Sequence, residues 1–138
     1  MRVVLDTNVL LSALISPHGK ADAIYRAWRS ARFEVITSTL QLNELRRASR
    51  YPKFKTVLQP ARVGTMINHL QHAIILNHLS IETDIADPND AFLISMVITG
   101  KADYLVTGDH RAGLLQKRKA GRARIITPAI FCSEILAI

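Results

Sequence analysis

Residues 1–14 read "MRVVLDTNVLLSAL", in which an aspartate, a threonine and an asparagine interrupt an otherwise apolar segment. The run Arg2–Leu5 predicts a short buried strand, and residues 8–16 predict a helix that ends before Pro17. Asp6 therefore comes at the carboxyl end of a strand. Polar side chains at this place need a local reason, because both flanking segments are apolar enough to be buried.

The composition indicates a globular protein. The length of 138 residues fits one domain spanning 1–138, and 49% of the residues are hydrophobic against 21% charged. The longest apolar stretches fall short of the roughly 20 residues that a membrane span needs, and Asp6 interrupts what could have been a signal peptide, so a cytoplasmic protein without membrane contact is expected. Cys132 is the only cysteine, which excludes an internal disulfide and a cysteine zinc cluster.

Helix-like and strand-like segments alternate along the chain. Helices are predicted over residues 20–31, after Ser38 with Gln41 completing a capping box, over 60–77 and 91–99, and from Pro128; strands are predicted over 33–37, 79–83, 104–106 and 124–126. Apolar strands that alternate with helices predict an α/β protein, a three-layer α/β/α sandwich with a central parallel sheet.

Four acidic residues fall where this architecture brings segments together. Asp6 and Asp109 follow the first strand and the strand 104–106, while Glu44 and Asp90 lie near the starts of helices. The carboxyl ends of parallel strands and the helices that follow them meet at one edge of the sheet. Each acid alone has an ordinary explanation as a cap, a first-turn acid or a turn residue. The recurrence of all four at one edge favours a shared site.

Clustered carboxylates repel one another, and a cation is the usual compensation. Oxygen ligands favour Mg²⁺ or Mn²⁺ over zinc. Such an ion activates a water and stabilises charge on a phosphoryl oxygen. Thr7 and Asn8 are expected to donate hydrogen bonds beside the acids, or to bind a water or a substrate phosphate.

Four stretches, "VVLDTNVLLSAL", "TLQLNELRRASRYPKF", "DPNDAFLISMVITGKADYLVTGD" and "ARIITPAIF", resemble the PIN-domain family of metal-dependent ribonucleases. More narrowly, they resemble its toxin components of the VapC type in toxin-antitoxin systems. The resemblance covers nearly the whole chain, and its strength lies in the order and spacing of the four stretches together.

The resemblance implies hydrolysis of RNA phosphodiester bonds with Mg²⁺ or Mn²⁺ as cofactor, a cognate antitoxin protein as partner, and a homodimer. It leaves open whether one or two ions bind. The implied catalytic and metal-binding acids are Asp6, Glu44, Asp90 and Asp109, with Thr7, Asn8, Asp87 and Thr107 as accessory residues.

The net charge of +7 comes largely from two basic stretches, "RRASRYPKFK" at 46–55 and "RAGLLQKRKAGRAR" at 111–124. Each follows one of the four acids, so its cations are expected to bind an RNA backbone. Tyr51 is interpreted either as a base-stacking residue or as part of the core, and Phe54 is expected in the core. The predicted RNA-binding residues are Arg46, Arg47, Arg50, Lys53, Arg111, Lys117, Arg118 and Lys119.

Two other functions compete with a ribonuclease toxin. A phosphatase of the haloacid dehalogenase type also has an aspartate after its first strand, but it needs a second acid two residues later, where this chain has Asn8. A catalytically silent RNA-binding or scaffold domain is the other alternative. Loss of one acid would be its sequence sign, and all four are present.

Overall fold

The computed structural model of the protein describes residues 1–79, 87–108 and 113–138, without the side chain of Asn89. The described residues form a six-stranded sheet in the order β3-β2-β1-β4-β6-β5. The neighbours from β3 to β6 pair in parallel, and β5 pairs antiparallel with β6 at the edge. The strands are β1 Arg2–Leu5, β2 Glu34–Ser38, β3 Ile74–Leu76, β4 Tyr104–Val106, β5 Lys119–Ala120 and β6 Ala123–Ile126.

Helices connect these strands and cover the sheet. They are α1 Thr7–Ile15, α2 Lys20–Arg29, α3 Thr39–Ala48, α4 Pro52–Lys55, α5 Pro60–Leu70, α6 Pro88–Gly100, α7 Leu114–Lys117 and α8 Pro128–Ile130, which continues into a π-helix, Phe131–Leu136. No helix within these described ranges is long and apolar enough to cross a membrane.

Two hydrophobic layers lie on opposite faces of the sheet. Val3 and Leu5 of β1 pack against α1, α2, α3, α5 and the C-terminal helix, while Val4 between them packs against α6 and α7. Successive side chains of a strand point to opposite faces, so an unbroken apolar strand requires cover on both. The predicted α/β/α sandwich is confirmed, and the central sheet is parallel except for the short edge strand β5.

Helix α6 begins as the sequence predicts. Pro88 is its first residue, and the Asp87 carboxylate accepts a hydrogen bond from the backbone N–H of Asp90 at 3.4 Å. At the other end, Gly100 passes so close to β2 that an added Cβ would lie 2.8 Å from Cδ1 of Ile36. A glycine therefore ends the helix because no larger residue fits against the strand.

The predicted helix over 60–77 is wrong at its C-terminal end. The helix stops at Leu70, and Ile74 lies in β3, where it pairs with Ile36 of β2. Leu70 and Ile74 are four residues apart, which matches a helical stripe equally well, so tertiary strand pairing decides the structure. The strand expected at 79–83 is displaced accordingly: Leu79 lies outside β3, and residues 80–83 lie outside the described residues.

Candidate functional site

Three of the four predicted acids line one small pocket at the carboxyl edge of the sheet. Asp6 follows β1, Glu44 projects from α3, and Asp90 lies in the first turn of α6. The pocket has a volume of about 50 Å³, and Thr7, Asn8, Phe92 and Leu93 complete its lining. Asp109, the fourth predicted acid, lies outside the described residues.

Asp6 is buried and held in a defined orientation. It is the N-cap of α1, where Oδ1 accepts a hydrogen bond from the backbone N–H of Asn8 at 3.2 Å. Its Oδ2 accepts a bond from the hydroxyl of Thr107 at 2.8 Å, directly after the neighbouring strand β4. The side chain is only 8% exposed. Donors from two separate elements therefore fix this carboxylate against the edge of the sheet.

Glu44 lies in an environment that disfavours its negative charge. Burial raises the pKa of the Glu44 carboxyl above its usual value, and the negative charge of Asp6 raises this pKa further. A hydrogen bond from the Thr7 side chain and the positive charge of Arg47 act in the opposite direction. The net upward shift of this pKa therefore comes first from burial of the carboxyl, and the nearby Asp6 carboxylate adds to it.

Gln41 holds the end of β1 and the start of α1 in place by buried hydrogen bonds, a role that sequence reasoning missed. Its Nε2 donates to the backbone oxygen of Leu5 at 2.6 Å and to Thr7 Oγ1 at 3.5 Å, and its Oε1 accepts from Thr37 Oγ1 at 2.7 Å. The side chain is 1% exposed. A polar residue on the buried face of an amphipathic helix was the available sequence indication.

The predicted capping box at the start of α3 is present only in part. Ser38 caps the helix, because its hydroxyl accepts a hydrogen bond from the backbone N–H of Gln41 at 3.0 Å. The Gln41 side chain is directed towards the end of β1 instead of back to Ser38. This geometry couples the start of α3 to the start of α1.

The donor set of the pocket fits a hard divalent cation held partly through water. Asp6, Glu44 and Asp90 offer only oxygen ligands, as Mg²⁺ and Mn²⁺ prefer. Within residues 1–79, 87–108 and 113–138, no three His, Cys, Asp or Glu side chains form a group that could bind one ion directly. Mg²⁺ usually keeps several waters and takes only one or two carboxylates, so its binding does not require three direct ligands.

Beside the acidic pocket lies a larger opening, named here the side cleft. Its volume is about 370 Å³, and it shares Thr7, Asn8 and Glu44 with the acidic pocket. The remaining lining residues come from α1, α3, α4 and the turn before α4: Leu11, Arg47, Ala48, Tyr51, Lys53 and Phe54. Tyr51 is 46% exposed, and Phe54, expected in the core, is half-buried at the rim of the apolar layer.

The predicted RNA-binding residues divide between several surfaces. Arg47 and Lys53 line the side cleft, whereas Arg46 and Arg50 line a separate pocket of about 420 Å³ between α3 and α5, together with Lys55. Three further cations lie in α7, after it and in β5, where they are exposed to solvent; they are Lys117, Arg118 and Lys119. Arg111 lies outside the described residues.

Comparison with known proteins identifies the family. A profile of the PIN domain matches residues 2–111. The chain belongs to the PIN-domain family. The PIN-domain assignment replaces the alternative hypothesis of a phosphatase of the haloacid dehalogenase type. The fold is also similar to a chain in the crystal structure of VapBC2 from Rickettsia felis bound to a DNA fragment from its promoter.

The similarity to VapBC2 is one of fold. The TM-score is 0.59 at 17% sequence identity, and the match covers 92% of this chain and 98% of the other. No curated protein matches this PIN domain in sequence.

Proposed function

We propose that this PIN-domain protein is a Mg²⁺- or Mn²⁺-dependent endoribonuclease and the toxin of a toxin-antitoxin pair, with residues 1–138 as one nuclease domain. The observation that supports this is the convergence of Asp6, Glu44 and Asp90, from three distant elements, on one pocket at the carboxyl edge of the sheet. Asp109 is proposed as the fourth acid, since in the sequence it follows β4, the strand that pairs with β1.

The chain's own residues prepare the pocket for phosphodiester hydrolysis. Thr107 and the Asn8 N–H prevent rotation of the Asp6 carboxylate, and Thr7 anchors that of Glu44. A divalent cation bound by the acids would lower the pKa of an attacking water and offset charge on the scissile phosphate. Preorganised ligands of this kind need no rearrangement when the substrate binds, which is the main source of electrostatic catalysis.

The proposed partners follow from the family and from the neighbouring fold. The VapBC2 structure is that of a two-component complex, and we propose that this chain likewise binds a cognate antitoxin and forms a homodimer in the cytoplasm. A net charge of +7 suits an RNA substrate, since cations that neutralise phosphates supply most of the affinity for a polyanion.

The deciding experiment compares cleavage of single-stranded RNA and DNA by the wild type and by Asp6→Asn in Mg²⁺, Mn²⁺ or EDTA. Asparagine is as good an N-cap as aspartate, so the variant should fold normally. We expect RNA cleavage that needs the metal and falls by about a hundredfold or more in Asp6→Asn, the size of effect typical for loss of one charge-stabilising group.

The matched control is Glu134→Gln, which removes an exposed carboxylate in the C-terminal π-helix. It should cleave like the wild type. Equal cleavage by Asp6→Asn, or full activity in EDTA, would contradict the proposed mechanism. RNA binding by the wild type without cleavage in either metal would support the silent RNA-binding alternative.

A further inference from the structure

We propose that the side cleft is a subsite for one unpaired nucleotide that flanks the scissile phosphate, with its base stacked on Tyr51 and its phosphate bound by Arg47 and Lys53. This inference rests on the proposed function and specifies its substrate as a single-stranded segment. It also divides the basic stretch 46–55 into residues that bind the reacting strand and residues that do not.

The side cleft is continuous with the acidic pocket. Thr7, Asn8 and Glu44 form part of the wall of both openings, so a strand whose phosphate lies at the acids continues directly into the side cleft. The acidic pocket, at about 50 Å³, is too small for a base. The cleft, at about 370 Å³, is within the range of sites that hold small organic ligands.

Tyr51 combines a hydrogen-bonded backbone with an exposed side chain. The backbone N–H of Tyr51 donates to the backbone oxygen of Ala48 at 3.1 Å. The backbone oxygen of Tyr51 accepts a hydrogen bond from the backbone N–H of Phe54 at 2.9 Å. The backbone is therefore held at the junction of α3 and α4, while the side chain remains 46% exposed. An exposed aromatic ring beside cations is the arrangement that single-strand-binding proteins use to stack bases.

The side cleft offers both positive charge and apolar surface. Arg47 and Lys53 lie on α3 and α4, so that they can contact a phosphate from two sides, and Lys53 Nζ is 5.0 Å from the centre of the Phe54 ring. Leu11 and Ala48 supply an apolar wall for a base. Bases inside a duplex are already stacked and cannot reach such a ring, so the subsite selects unpaired RNA.

The neighbouring pocket between α3 and α5 provides an internal comparison. Lys55 lies in the same short helix as Lys53 but lines that other pocket, on a different side of α3 from the acids. The two lysines have the same charge and similar local sequence, and they differ in which opening they face. Their substitution therefore separates a specific phosphate contact from a general effect of positive charge.

The test measures binding of a fluorescein-labelled single-stranded RNA to the Asp6→Asn protein, so that the RNA stays intact. One nucleotide position at a time is replaced by an abasic residue. We expect one abasic position to weaken binding roughly 5- to 100-fold, which is the range for loss of one stacked base. Tyr51→Ala should weaken binding of the intact RNA to the same extent, and Tyr51→Phe should bind normally.

The combination gives the decisive result. Because Tyr51→Ala already lacks the ring, that protein should bind the intact RNA and the abasic RNA equally, a non-additivity that only direct contact produces. Lys53→Ala should weaken binding, and Lys55→Ala should not. The substitutions at 51, 53 and 55 change exposed side chains, so the fold is retained.

Several outcomes would overturn the subsite. They are normal binding by Tyr51→Ala, additive losses from the ring and the base, equal losses from Lys53→Ala and Lys55→Ala, or no RNA binding by the Asp6→Asn protein. Any of these with normal RNA cleavage by the wild type leaves the proposed nuclease intact and assigns the cleft to another occupant, such as a protein segment. Stacking at Tyr51 without any cleavage by the wild type would instead contradict the nuclease function alone.

Discussion

Different forces hold the acidic pocket and the apolar layer in which β1 packs with α1, α2, α3, α5 and the C-terminal helix. In the layer, Phe131, Met66 and Leu70 are large, fully buried and apolar, so each stabilises the fold in proportion to the apolar surface it removes from water. At the pocket, the buried Asp6 is held by hydrogen bonds, one of them from the buried Thr107. Among the described residues, no buried side-chain nitrogen or oxygen lacks a partner.

This contrast teaches that stability and chemistry are separable in this molecule. Removal of a core side chain should unfold the protein without altering the chemistry of the molecules that remain folded. Removal of a pocket donor should alter the chemistry with a smaller loss of stability. Removal of one acidic charge should even stabilise the protein, because folding has to bring like charges together.

The largest loss of stability is expected for Phe131→Ala. The ring is fully buried and packs edge-on against Phe33 and Tyr104, at centroid distances of 5.4 and 5.8 Å. A cavity of this size costs about 3–5 kcal/mol of unfolding free energy, measured by urea denaturation. Ile138→Ala, at a residue 56% exposed, should change it by less than about 0.5 kcal/mol. A cost below about 1 kcal/mol for Phe131→Ala would contradict the account of the layer.

The next largest loss of stability is expected for Gln41→Leu, because this substitution leaves buried polar groups of β1 and β2 without their hydrogen-bond partner. The backbone oxygen of Leu5 and the hydroxyl of Thr37 each lose a partner, at about 1–3 kcal/mol for each group left unpaired. RNA cleavage should also fall, because Thr7 loses a hydrogen bond. The exposed Gln71→Leu is the control and should be near neutral in both urea denaturation and cleavage. An unchanged cleavage rate in Gln41→Leu would show that Gln41 supports the fold alone.

Sequence reasoning reached the sandwich because its strands are apolar on both faces and its helix starts carry explicit caps. Arg2–Leu5 and Pro88 were placed correctly for these reasons. Strand β5 was missed because two residues carry no period, and Ile74 was misplaced because its spacing fits a helix as well as a strand. Both segments are strands because they pair with a neighbouring strand, and this pairing joins residues that a local sequence pattern does not connect.

The candidate site was predicted to a similar degree. Strand and helix order alone implied that Asp6, Glu44 and Asp90 meet, and all three line the acidic pocket. The sequence could not reveal which cations of the stretch 46–55 face the acids, since this depends on how α3 and α4 are rotated about their axes when they pack. Nor could it show that the Gln41 side chain bonds to β1, because that contact joins residues 36 positions apart.

A smaller effect on stability is expected for Thr107→Val, which keeps the shape of the side chain and removes the donor to Asp6 Oδ2. A hydrogen bond to a charged group contributes about 1.5–3 kcal/mol, and the N–H of Asn8 still holds the other oxygen. Cleavage should fall because the Asp6 carboxylate gains freedom to rotate. Thr107→Ser should restore the rate, since it returns the hydroxyl, and failure of serine to do so would show that shape and not the donor matters.

The smallest effect, of opposite sign, is expected for Glu44→Gln in EDTA. The pKa of Glu44 in the folded protein is raised above its usual value of 4.5, so the folded state binds this proton more tightly than the unfolded state does. The unfolding free energy of the wild type therefore loses this contribution as the pH rises from 4.5 through the folded pKa. Glutamine does not titrate, so Glu44→Gln should be the more stable protein at pH 8, with a smaller advantage at pH 5.

Urea denaturation at both pH values measures this difference in stability, with Glu134→Gln as the exposed control. Added Mg²⁺ should reverse the order, because a ligand stabilises most the protein that binds it most tightly. A lower stability of Glu44→Gln than of the wild type at pH 8 in EDTA would show that the negative charge of Glu44 does not destabilise the folded protein.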